Sequence, residues 1–86
     1  MNHNIFFFDF ETTGLNPFHN DIIEVAIKKD GVDEFYETLI KPDIDIKEKL
    51  YIVSSRVVEI TGITDRMLLK KGISTQEAIT SMLDYI

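Results

Sequence analysis

The strongest constraint on how this chain folds is the run Ile5-Phe6-Phe7-Phe8-Asp9-Phe10-Glu11. It is too apolar and aromatic for a solvent-facing helix, and it predicts a strand covered on both sides. Strand alternation sends Phe6, Phe8 and Phe10 one way and Ile5, Phe7, Asp9 and Glu11 the other. Two carboxylates therefore emerge from one face with β-carbons about 6.8 Å apart, within joint reach of one cation. Desolvation and mutual repulsion both disfavour the ionised pair, and proteins answer this by protonating one group or by recruiting positive charge. Oxygen-only ligands select magnesium or manganese over zinc or copper. The same pair also serves a plainer purpose, since charges near a strand end discourage edge-to-edge pairing.

Turn formers crowd the next stretch. Gly14, Asn16, Pro17 and Asn20 make a loop of Thr12 to Asn20. A second strand is expected from Asp21 to Lys29, with Ile23, Val25 and Ile27 on one face and Ile22, Glu24 and Ala26 on the other. Asp30-Gly31 signals a type I′ hairpin, so the third strand, about Glu34 to Lys41, returns antiparallel and stops at Pro42. Asp43 to Lys49 reads as a charged loop. Ser54 or Ser55 caps a short helix through Arg56 to Thr61, ended by Gly62, and Thr64 caps another through Lys70, ended by Gly72. Ser74 and Glu77 form a capping box before an apolar stripe of Ile79, Met82, Leu83 and Ile86. That helix runs to Ile86 without a helix-ending residue.

With 86 residues the chain holds one domain at most, and at this size a fold buries roughly 64% of its unfolded surface, a marginal core. No cysteine is present, which excludes a disulfide framework, a thiol nucleophile and a thiolate zinc site, and suits a reducing, cytoplasmic setting. The longest apolar run is Ile5 to Phe8, so no segment spans a membrane. A net charge of −6 does not advertise broad phosphate neutralisation. Any nucleic-acid partner needs those carboxylates offset locally.

The segment Phe7-Phe8-Asp9-Phe10-Glu11-Thr12-Thr13-Gly14-Leu15 resembles the first motif of the DEDD superfamily of 3′→5′ exonucleases, which includes ribonuclease T and polymerase proofreading domains. The similarity continues through Asp21-Ile22-Ile23-Glu24-Val25-Ala26, Ile40-Lys41-Pro42 and Ile60-Thr61-Gly62-Ile63-Thr64-Asp65, and is strongest to the proofreading exonucleases of bacterial replicative polymerases. The resemblance implies an α/β, ribonuclease H-like mixed sheet. Residues 1–86 would be the N-terminal portion of a single exonuclease domain, contributing its first three antiparallel strands and the helices after them.

It further implies that Asp9 and Glu11 hold Mg²⁺ or Mn²⁺ in a two-metal site. The backbone of Thr12 would meet the terminal 3′ hydroxyl, and Leu15 would pack on the terminal base. The expected partners are a single-stranded 3′ end of DNA or RNA, with a polymerase or the remainder of the same polypeptide. Members of this superfamily need two further acidic ligands and a histidine or tyrosine general base from later segments. His3 and His19 both lie in or beside the first motif, and Tyr36, Tyr51 and Tyr85 match no base position, so no general base is assigned in this chain. The isolated chain is expected to be inactive or nearly so. The alternative is a non-catalytic binding module or decoy that offers a sheet edge or its last helix to a partner.

Overall fold

The computed structural model describes residues 5–14, 20–42 and 51–86. Leu15, His3, His19 and the loop expected over 43–49 lie outside the described residues.

Three strands, β1 (Phe6–Thr12), β2 (Ile22–Lys29) and β3 (Phe35–Leu39), form an antiparallel sheet in the order β1-β2-β3. Three helices follow: α1 (Ser55–Thr61), α2 (Asp65–Lys71) and α3 (Thr75–Tyr85). Each begins at a hydroxyl cap. Ser54 Oγ accepts from the Val57 amide, Thr64 Oγ1 from the Met67 amide and Ser74 Oγ from the Glu77 amide. These bonds satisfy donors that an uncapped helix start would leave orphaned. At the other end of α1 the Gly62 amide closes onto the Val58 carbonyl at 2.8 Å.

β2 is the central strand, and its alternation sets the core. Val25 and Ile27 are fully buried against Ile40 and Ala78, with Phe6, Tyr36, Ile73, Met82 and Tyr85 packed around them, so α3 covers this face of the sheet. A second cluster gathers Ile23, Ile52, Val53, Ile63 and Leu68, which seats α1 and α2 near the start of β2. Short-range polar contacts lock α3 in place. The Tyr36 hydroxyl bonds Ser81 Oγ, and the Tyr36 and Tyr85 rings lie 5.7 Å apart. These two tyrosines are thus packing residues, and Tyr51 is exposed.

Two expectations need correcting. β1 is not covered on both sides: Phe7, Phe8 and Phe10 are 58%, 47% and 44% exposed. The reason is position, because β1 is an edge strand and, of its residues, Phe6 is the one packed against the core cluster that α3 covers. Apolar content predicted cover for this strand, yet the described residues supply little of it. The hairpin is also not type I′, which needs positive φ at both central residues. Here Gly31 has φ +78° and no non-glycine residue among those described has positive φ, so Asp30 is excluded from that conformation. The Val32 amide reaches the Lys29 carbonyl at 3.2 Å, and the connection runs on to Phe35.

The two edges of the sheet differ. Beyond β3, Ile40 pairs in parallel with Ile73, and the Lys41 and Ile73 amides donate to the Ile73 and Leu39 carbonyls at 2.8 and 3.0 Å. β1 has no described strand on its outer side.

Candidate active site: an acidic sheet face beside the β1 turn

Register decides which side chains share a face. Asp9 stands opposite Ala26, which stands opposite Glu37; Glu11 stands opposite Glu24, which stands opposite Leu39. Directly paired residues point to the same side of a sheet. Asp9, Glu11, Glu24 and Glu37 therefore occupy one face, the one turned away from Val25 and Ile27. Glu11 and Glu24 form a cross-strand like-charge pair, an arrangement that costs stability.

The electrostatic consequence falls on Glu24. Partial burial, a hydrogen bond with Glu37 and the charges of Glu37, Glu11 and Asp9 together hold its carboxyl above the ordinary value. The sequence alone placed Glu24 on an alternating face but gave it no role, and Glu37 was missed. Only the cross-strand register, unbroken from Phe6 to Glu11, brings them beside the β1 pair.

Asp9 is exposed and Glu11 is half-buried, so solvent and solutes reach both. Their donors suit a hard divalent cation, being carboxylate oxygens only. They are an incomplete set, however. Among the described residues no three acidic or imidazole side chains are arranged to hold one metal ion.

Just past Glu11 the strand ends in a fixed turn. Thr12 Oγ1 donates to the Gly14 carbonyl at 2.7 Å. The Thr13 amide donates to the Asp21 carbonyl at 2.9 Å, and the Asp21 amide returns a 2.9 Å bond to Thr13 Oγ1. Thr13 and Asp21 thereby join the end of β1 to the start of β2. Alongside runs a groove of ≈ 540 Å³ between this turn and α1, lined by Glu11, Thr12, Gly14, Arg56, Ile60 and Thr61 among others. It joins one candidate ligand, Glu11, to the residue expected at the 3′ hydroxyl, Thr12. Thr61 is fully engaged, donating to the Val57 carbonyl and accepting from the Ile63 amide.

Comparison with known proteins identifies the family. A family model described as an exonuclease of the RNase T type matches residues 6–86. A DNA polymerase III of PolC type from Thermotoga maritima is 48% identical over 82 residues, and its counterpart from Thermotoga petrophila is 46% identical over 82 residues. The PolC-type polymerase of Caldanaerobacter subterraneus subsp. tengcongensis is 32% identical over 81 residues. Each match covers 91% of this chain but 5% of the relative, so the chain spans about one-twentieth of their length. With the first motif, the antiparallel sheet that carries it and the family match over nearly its whole length, the chain belongs to the RNase T-type exonucleases of the DEDD superfamily.

Proposed function

We propose that residues 1–86 form the N-terminal portion of a 3′→5′ exonuclease domain that hydrolyses phosphodiester bonds at a single-stranded 3′ end. The observation that carries this reading is the position of Asp9 and Glu11, on one face of β1 and directly before the turn and groove at Thr12–Gly14. Asp9 and Glu11 hold Mg²⁺ or Mn²⁺. When bound, the cation supplies charge stabilisation at the scissile phosphate and lowers the pKa of a water. Thr12 offers its backbone to the terminal hydroxyl, and Leu15 packs on the terminal base. Similarity to PolC-type polymerases favours DNA as the substrate and proofreading as the context.

The exposure of Phe7, Phe8 and Phe10, the outer edge of β1, and the solvent-facing Ile79, Leu83 and Ile86 of α3 fit surfaces that the remainder of the domain covers. Two carboxylates leave about four of six cation positions to water. The 86-residue chain by itself is therefore inactive or nearly so. The test is Asp9→Ala in the intact polypeptide to which this segment belongs: 3′ nucleotide release is lost while the circular dichroism spectrum is kept. A normal rate in that variant removes Asp9 from the site, and robust release by the isolated chain overturns the view that ligands are missing.

A further inference from the structure

The described lining of the groove beside Thr12 contains one cationic side chain. Among its described lining residues Arg56 is the sole lysine or arginine, and it shares the groove with Glu11 and Thr12. The remaining walls include Phe10, Val57 and Ile60, apolar surface of the kind that accommodates a sugar or base. Arg56 is exposed, and no ion pair joins it to a carboxylate among the described residues. The charge in question is the guanidinium itself. In the first turn of α1 the Val57 amide is already bonded to Ser54.

A polyanionic strand approaching this site meets a chain of net charge −6 and a sheet face bearing Asp9, Glu11, Glu24 and Glu37. Bound cations neutralise the field at the acidic pair but do not hold the rest of the strand. Arginine suits that task, because its planar donors engage two phosphate oxygens at once and its charge does not titrate. Resting on the functional reading above, we infer that Arg56 contacts a phosphodiester of the bound strand and sets its path through the groove. It is a binding residue that leaves the reacting atoms alone. Phosphate contact is independent of base identity and sensitive to salt, and both properties are measurable.

The experiment measures 3′ nucleotide release by the intact polypeptide on oligo(dT), oligo(dA) and oligo(dC) over a range of salt concentrations. Arg56→Ala raises KM about tenfold, the cost of one charge-assisted hydrogen-bonding partner at an exposed site, with kcat within about twofold. The plot of log(kcat/KM) against log salt becomes shallower by about 0.7, one phosphate contact on a single strand. Arg56→Lys restores most of that slope. An unchanged KM and salt slope in Arg56→Ala overturns the inference, as does a loss confined to one base. Asp9→Ala run in parallel separates the two readings. If it still cleaves, the assignment of Asp9 fails; if it is dead and Arg56→Ala behaves as wild type, only the role of Arg56 fails.

Discussion

Thr13 and Asp21 hold each other by two reciprocal bonds, both 2.9 Å, between the end of β1 and the start of β2. One bond is backbone only, but the other depends on the Thr13 hydroxyl. This pair ties the end of β1 to the start of β2 and so fixes where Thr12 stands relative to the acidic face. Thr13→Val keeps the shape and removes the acceptor, at a cost of about 1 kcal/mol in urea unfolding. Thr13→Ser retains the bond and stays within about 0.5 kcal/mol of wild type. Equal stability of the valine and serine variants would show that the hydroxyl does not hold the two strand ends together.

Asp65 forms a second clamp. One carboxylate oxygen accepts from the Ile52 amide at 3.0 Å and the other from the Val53 amide at 2.8 Å. Ile52 and Val53 belong to the cluster around Ile23, so the side chain pins the buried segment ahead of α1 to the first turn of α2. Asp65→Ala strands two partly buried amides and is expected to cost about 2–3 kcal/mol. Asp65→Asn keeps one acceptor and loses about half of that. The denaturant midpoints of the two variants check this order, and the reverse order contradicts it.

Gly72 is a close-approach position. A β-carbon there would collide with the Leu68 carbonyl oxygen and lie 2.9 Å from the Lys41 nitrogen, both backbone atoms that cannot turn aside. The same Lys41 amide donates to Ile73 beside β3. Gly72→Ala is therefore expected to destabilise by about 2 kcal/mol or more, through displaced backbone. A calorimetric midpoint equal to wild type would mean that α2 and β3 separate at little cost.

The caps and most element bounds were legible in the sequence because they rest on local chemistry. Ser54, Thr64 and Ser74 each accept from the amide three residues on, and the Gly62 amide closes α1. The pairing of Asp9 with Glu11 on one face was equally local, following from period-two alternation. What stayed hidden was non-local. Apolar content in β1 does not reveal which segment covers it, and Phe7, Phe8 and Phe10 remain exposed among the described residues. Glu24 and Glu37 join the acidic face only through register, and Arg56 reaches the groove only through the packing of α1.

Glu24 gives the fold a pH signature. A carboxyl with a raised native pKa binds its proton more tightly when folded, so its stabilisation is full below the ordinary value of 4.5 and is lost as pH rises through the native value. At neutral pH without divalent ions, Glu24 is thus a liability created by burial and by Glu37, Glu11 and Asp9. Glu24→Gln is expected to melt above wild type at pH 7 in chelator, with the gap closing towards pH 4. A gap that does not change with pH would detach the effect from this carboxyl.

The most direct measurement is a Mn²⁺ titration of the ¹⁵N-labelled polypeptide followed by paramagnetic line broadening. Broadening is expected first and strongest at Asp9 and Glu11, extending to Glu24 across the strand pair, with roughly millimolar affinity in the 86-residue chain and tighter binding in the intact polypeptide. Asp9→Asn together with Glu11→Gln should abolish it. Broadening centred elsewhere, or none at these two residues in the intact polypeptide, would contradict the assignment of β1 as the metal-bearing strand.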